Sequence, residues 1–180
     1  MKGNDIRRLV AAALCLALGI VLPQAFHMIP NAGSVFLPMH IPVLLCGLLC
    51  GWRYGLAVGV LTPALSSLLT SMPPAAVLPG MLCELAVYGL ISGLLIRYMK
   101  FEKRIANVYI ALICAMLVGR LVSGVLNALL FRAGEYSLDV WLTASFVTSL
   151  PGIIIQLCVI PALVFALEKS RILPRVPVRG

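Results

Sequence analysis

Six apolar stretches, separated by short clusters of proline, glycine and charge, organise this chain. The first runs from about Ile6 to Leu22 and ends at Pro23 and the Pro30-Asn31-Ala32-Gly33-Ser34 stretch. The second, about Pro38 to Gly51, holds Pro38 and Pro42, which a helix tolerates only in its first turn, where backbone amides lack helical partners anyway. The third runs from about Tyr54 to Leu69 and gives way to a Met72-Pro73-Pro74 turn. Further helices are predicted over Ala75–Met99, Ile105–Phe131 and Leu142–Leu167, with Pro151 either an early-turn proline or a kink in the last. Several runs reach the roughly 17 residues that cross a hydrocarbon core about 30 Å thick. The second, at about 15 residues, reaches only about 22 Å.

Composition agrees with a membrane domain. The 180 residues are 62% hydrophobic and 11% charged, with mean hydropathy +1.08, whereas soluble domains carry about 25% charge. Residues 1–171 read as one all-α integral membrane domain and 172–180 as a flexible cytoplasmic tail. The net charge of +8 lies in clusters beside the apolar runs: Lys2, Arg7 and Arg8; Arg53; Arg97, Lys100, Lys103 and Arg104; Lys169, Arg171, Arg175 and Arg179. That distribution fits cytoplasmic loops and not a nucleic-acid partner. An even number of crossings must separate the N-terminus from the Arg97–Arg104 cluster, so the short second helix must cross too. The expectation is a six-transmembrane-helix bundle with both termini cytoplasmic. The Phe26–Met39 loop, the Met72-Pro73 turn and the Arg132–Asp139 loop then face outward. The basic, apolar start lacks a clear cleavage site near Pro23-Gln24-Ala25-Phe26 and reads as a permanent first helix.

Two charges lie deep within the apolar runs, Glu84 and Arg120, and they have opposite sign. Burying a charge in a bilayer costs at least a few kcal/mol, so such residues face a protein interior or a wet cavity. Counting about 1.5 Å per residue from the outer helix ends puts both near 15–16 Å. Ser123 and Asn127 share a helix face with Arg120, and Gln156 lies at a comparable depth if the last helix starts near Leu142. These residues outline an outward pocket floored by an ion pair. Arg120 suits a carboxylate or phosphate; Glu84 suits a hydroxyl, amine or ring nitrogen. The alternative is a structural salt bridge with interhelical amide bonds.

Other features have two readings each. Pro63 frees the Gly59 carbonyl, as either a packing kink or a site of exposed backbone. The Phe26–Met39 loop, with His27, Met28, Phe36 and Met39, is long enough for a lid. His27 and His40 have no third ligand, so they are pocket-lining or interfacial and no metal is expected. Ala13 and Ala17 form a small-xxx-small pair for helix packing, within the bundle or against another subunit. The cysteines (Cys15, Cys46, Cys50, Cys83, Cys114, Cys158) all fall in apolar runs and read as small hydrophobes. No GxxxxGK[ST], HExxH or GxSxG is present, which removes ATP hydrolysis, zinc proteolysis and serine hydrolysis from consideration. No enzyme activity and no cofactor is expected.

Leu37-Pro38-Met39-His40-Ile41-Pro42-Val43-Leu44-Leu45-Cys46-Gly47 is followed by Gly51, Gly55, Gly59, Thr62-Pro63 and Ser71-Met72-Pro73-Pro74. With Glu84-Leu85-Ala86-Val87-Tyr88-Gly89-Leu90 and Gly119-Arg120-Leu121-Val122-Ser123-Gly124, this order resembles the substrate-binding S components of energy-coupling factor (ECF) transporters, over most of the chain. The resemblance implies a six-helix protein of a prokaryotic plasma membrane. It would bind a water-soluble vitamin or precursor from outside and work with a transmembrane coupling subunit and two cytoplasmic ATPase subunits. It also implies that Ala13 and Ala17 dock on the coupling subunit, that the loop after the first helix is a lid, and that substrate residues lie in the later helices and outer loops. Glu84, Arg120, Asn127, Ser123, Gln156 and His40 are the substrate-binding candidates. A pantothenate-like ligand fits Arg120, and a pyridoxine-like or hydroxymethylpyrimidine-like ring fits Glu84. The competing readings are a stand-alone secondary transporter or channel and a structural membrane assembly protein.

Overall fold

A computed structural model describes residues 3–26, 32–99, 102–131 and 137–170. His27, Met28, Asn31, Lys100, Arg132, Glu135 and the 172–180 tail lie outside the described residues. The path is helical throughout: α1 (Gly3–Ala25), α2 (Ala32–Phe36), α3 (His40–Cys50), α4 (Trp52–Thr70), α5 (Leu78–Tyr98), α6 (Arg104–Leu126), α7 (Leu138–Leu142) and α8 (Leu150–Lys169). π-Helical turns extend α6 over Asn127–Phe131 and α7 over Thr143–Thr148.

Among the described residues, five segments are long and apolar enough to cross a membrane: Asp5–Ala25, Gly33–Cys50, Leu78–Tyr98, Arg104–Leu129 and Leu150–Lys169. The sequence pattern led us to expect six. The difference is α4, whose length suffices but whose apolar run is diluted by Arg53, Thr62, Ser66, Ser67 and Thr70.

The second predicted helix is α3, within two residues of the expected Pro38–Gly51, and the short α2 forms inside the stretch expected to be a loop, Phe26–Met39. α2 and α3 are separated at Leu37, which takes a left-handed φ of 50°. α3 has 11 residues, about 16 Å. It is enclosed by the rest of the bundle: every residue from Pro42 to Cys50 is buried, as is His40, and α1, α4, α5 and α8 all pack on it. A break in helical hydrogen bonding at membrane depth is tolerated where protein surrounds it.

α4 and α5 form the most intimate pair, at backbone distance. A Cβ built on Gly89 would stand 2.0 Å from the Gly55 carbonyl oxygen, and one on Gly55 would stand 2.3 Å from that of Gly89. Only glycine permits this approach, the small-residue route to tight packing in lipid. It also fixes Glu84 and Tyr88 of α5 against the rest of the bundle.

Local chemistry explains several boundaries. α1 continues through Pro23 to Ala25, three residues past the expected end at Leu22, because a missing amide bond so near the end costs one hydrogen bond and not the helix. α5 begins at Leu78 with Pro79 in its first turn, a little later than Ala75. The last predicted helix divides: Ser149 has φ −90° and ψ 4°, and Pro151 falls in the first turn of α8, where its missing donor is harmless. Pro63 sits inside an unbroken α4.

At one end of the bundle, Arg104 opens α6 and Glu168 closes α8. Arg104 donates through Nε and Nη2 to the Glu168 carboxylate, a two-pronged pair with the Glu168 side chain 5% exposed.

Candidate functional site

The two intramembrane charges meet, through an intermediary. Glu84 and Tyr88 are four apart on α5, so one lies directly over the other. The Tyr88 hydroxyl donates to Glu84 Oε1 at 2.8 Å and accepts from Arg120 Nε at 3.1 Å. The expected ion pair is therefore a bridged pair: carboxylate, phenol, guanidinium. Tyr88 is fully buried and Arg120 is 4% exposed.

Arg120 is anchored from several sides. Its Nη1 donates to Ser149 Oγ at 2.8 Å, and Ser149 Oγ in turn donates to the Ser145 carbonyl. The Trp141 indole donates to the Arg120 carbonyl at 3.2 Å. The guanidinium carbon lies 5.6 Å from the Phe146 ring centroid, a cation–π distance. Two of the five guanidinium N–H groups are thus engaged by protein acceptors, and Nη2 has no partner among the described residues.

His40, the first residue of α3, approaches the other end of this chain of contacts. Its Nε2 is 3.7 Å from Glu84 Oε1, and its ring stands edge-on to Tyr88 at 5.4 Å between centroids. His40 is 2% exposed, and its Nδ1 has no hydrogen-bond partner among the described residues. Gln156 on α8 is fully buried, with neither Oε1 nor Nε2 partnered among the described residues. Buried polar atoms left this way cost about 1–3 kcal/mol each.

Ser123 and Asn127 are brought together, though in a separate tie. Ser123 Oγ donates to the Gly80 carbonyl at 3.1 Å. Asn127 Nδ2 donates to the Ser123 carbonyl at 2.8 Å and reaches Ser123 Oγ at 3.2 Å. Their hydrogen bonds fasten α6 to the start of α5, a turn and more beyond Arg120.

Above the charges, Arg120 is buried whereas the Glu84 side chain is 20% exposed. α2 lies against α8, where a Cβ on Gly152 would meet the Val35 carbonyl oxygen at 2.6 Å and that of Phe36 at 2.9 Å. Phe36 also stacks on Phe26 at 5.6 Å. An open groove of about 390 Å³ lies elsewhere, lined by Asp139, Val140, Thr143, Ala144 and Thr148 on the exposed flank of α7 and its extension.

Sequence reasoning missed Tyr88 and Ser149. A signal for Tyr88 existed: it is one helical turn from the only acid within the apolar runs. Ser149 had none, since its role depends on where α8 begins. On α1, Ala13 and Ala17 face outward with Leu9, Val10, Leu14, Leu18 and Val21, while Ala12, Cys15 and Gly19 turn inward.

Comparison with curated proteins gave no match, and comparison with solved structures gave none. The family model described as ECF transporter, substrate-specific component matches residues 7–164. With an apolar helical bundle around a buried cluster of polar and charged side chains, the chain belongs to the family of ECF transporter substrate-specific components.

Proposed function

We propose that this chain captures a water-soluble vitamin or vitamin precursor, pantothenate-like or pyridoxine/hydroxymethylpyrimidine-like, from the outer side of a prokaryotic plasma membrane and releases it inside. One observation carries the reading: the Tyr88 hydroxyl holds Glu84 and Arg120 apart, so neither charge is consumed by the other. Arg120 keeps guanidinium donors for an anionic or carbonyl group of the ligand. Glu84 and His40 offer acceptor and donor capacity for hydroxyl, amine or ring nitrogen, and Gln156 supplies an amide. Ser123 and Asn127 form the wall of the site toward its mouth. α4 makes the sixth crossing, and both termini are cytoplasmic, in keeping with the basic clusters. The loop after α1, including α2 where its backbone rests on Gly152, serves as the lid.

ATP hydrolysis belongs to two cytoplasmic ATPase subunits, reached through a transmembrane coupling subunit. The outward face of α1 supports a docking role for Ala13 and Ala17, because flat, small residues let another helix approach. Mass spectrometry of the molecule that co-purifies with the full chain should identify a vitamin or precursor. Uptake in reconstituted vesicles should require the coupling and ATPase subunits together with ATP. Transport by the chain alone in ATP-free vesicles would reject the reading in favour of a stand-alone transporter. Replacing both Ala13 and Ala17 by Leu should leave ligand affinity unchanged and abolish uptake; persistent uptake would remove α1 as the docking face.

A further inference from the structure

α8 is made of two halves of different character, divided at Pro161. This proline lies inside the helix. It has no amide to give the Leu157 carbonyl, and its ring crowds that carbonyl on the side it faces. Pro161 is buried, so relief of the crowding bends the helix away from the bundle. Toward Glu168 the helix is secured: Ile160 and Val164 are fully buried in the core, and Arg104 holds the Glu168 carboxylate. Toward Ser149 it is not. Between Leu150 and Leu157 only Gly152 and Gln156 are buried, and neither brings an apolar side chain. The Gln156 amide has no hydrogen-bond partner among the described residues.

α4 shows that a proline alone does not make a joint. Pro63 is also buried inside its helix. The stretch leading to it is clasped, however: a Cβ on Gly59 would stand 2.3 Å from the Leu85 carbonyl oxygen, and Gly55 meets Gly89 at the same distance. In the Ser149 half of α8 the corresponding close approach is made by Gly152, and it is to α2 and not to the bundle. The end of this half is jointed too. Ser149 leaves helical geometry, with φ −90° and ψ 4°, after the π-helical turn Thr143–Thr148. Its hydroxyl accepts from Arg120 Nη1 at 2.8 Å and so latches the half-helix to α6. A bend of about 20° at Pro161, acting over roughly 18 Å of helix, carries Ser149 about 6 Å, enough to break that bond.

With α8 seated, Arg120 is 4% exposed and Gln156 fully buried, so a solute reaches neither. We propose that the Ser149–Ile160 segment is the gate of the site, hinged at Pro161, pinned by Arg104 and Glu168, and latched by the Ser149 hydroxyl on Arg120. This rests on the capture function proposed above and adds its moving part. Outward bending frees Arg120 Nη1, uncovers the Gln156 amide and removes the seat of α2. An acceptor on the ligand then takes the place of Ser149 Oγ at Nη1.

The test reads the gate through Arg120 itself. Phenylglyoxal, a small neutral reagent for guanidinium groups, is added to the full chain in lipid nanodiscs, and adducts at Arg120 and at the exposed Arg53 are timed by peptide mass spectrometry. Pro161→Ala straightens α8 and should slow labelling of Arg120 by about tenfold or more, with Arg53 unchanged. Its thermal midpoint should equal or exceed that of wild type, so the slower labelling is not misfolding. Ser149→Ala removes the latch and should speed labelling of Arg120 about tenfold. Ser149→Thr keeps the hydroxyl and should restore the wild-type rate. Equal Arg120 rates in wild type and Pro161→Ala overturn the hinge and put entry past Glu84 or under α2 alone. Equal rates in wild type and Ser149→Ala, or a Ser149→Thr protein as fast as Ser149→Ala, overturn the latch. An Arg120 that stays unlabelled in wild type while Arg53 saturates overturns the gate altogether. Mass spectrometry of the co-purifying molecule judges capture separately, so loss of the gate and loss of capture are told apart.

Discussion

Two charge pairs in this protein are built on opposite plans. At the α6–α8 end, Arg104 grips Glu168 directly through two nitrogens. In the interior, Arg120 and Glu84 face each other across the Tyr88 hydroxyl. The first arrangement puts the two charges in direct contact. The second divides the hydrogen bonding, so each charge keeps free capacity. A direct pair is suited to fastening helices and a bridged pair to meeting a ligand, although each needs one cation and one anion from separate helices.

The largest expected effect breaks the interior pair. Arg120→Ala removes the donors to Tyr88 and Ser149 and leaves Glu84, whose side chain is 20% exposed, without its counter-charge. Stability should fall by about 2–3 kcal/mol, less than the cost of breaking a fully buried direct pair because Tyr88 separates the charges and water reaches Glu84, and affinity for the co-purifying ligand should fall below detection. Arg120→Lys separates the two consequences, because it keeps the charge and loses the planar fork. It should fold and still bind at least tenfold more weakly. Unchanged affinity in Arg120→Lys would remove Arg120 from the ligand.

The outer pair should behave differently. Arg104→Ala strips the carboxylate of Glu168 of its guanidinium partner, but the Arg104 side chain is 23% exposed, so water and lipid headgroups relieve part of the loss. A stability decrease of about 2 kcal/mol is expected, read by thermal unfolding in detergent, with ligand affinity unchanged. A loss of affinity here comparable to that of the interior substitution would erase the distinction between fastening and binding.

How much of this was legible in the sequence follows from what each feature depends on. Glu84 and Arg120 stood out because charge is rare in apolar helices, and simple counting of residue rises placed them at one depth. Their bridge was harder to see. A tyrosine in an apolar run reads as packing, and only the i to i+4 spacing from Glu84 distinguished it. The short α2 was not legible, because Pro30, Gly33 and Pro38 mark the Phe26–Met39 stretch as a loop while α3 falls close to where the apolar run puts it. The break at Leu37 is made tolerable by surrounding helices and not by local residues. Likewise, Pro151 alone did not decide between a kink and a first turn. Ser149 turns the chain just before it, and with that turn gains its place beside Arg120. The separate tie of Ser123 and Asn127 to Gly80 was hidden because it depends on α5 starting at Leu78 and bringing a bare glycine beneath the amide.

The subtlest change targets the bridge alone. Tyr88→Phe keeps the ring in its fully buried slot and its edge contact with His40, and removes one oxygen. Glu84 Oε1 and Arg120 Nε each lose a hydrogen bond, which by itself should cost about 1–2 kcal/mol. The carboxylate and guanidinium are now free to approach, and direct pairing recovers part of that cost. The net loss of stability should therefore be small, about 1 kcal/mol or less, while ligand affinity drops about tenfold, because the charges have turned toward each other. A double-mutant cycle with Arg120→Lys would expose the coupling as a clear departure from additivity. If Tyr88→Phe instead binds as tightly as wild type, separation of the charges is irrelevant to capture, and the interior pair is a fastening of the same kind as Arg104 and Glu168.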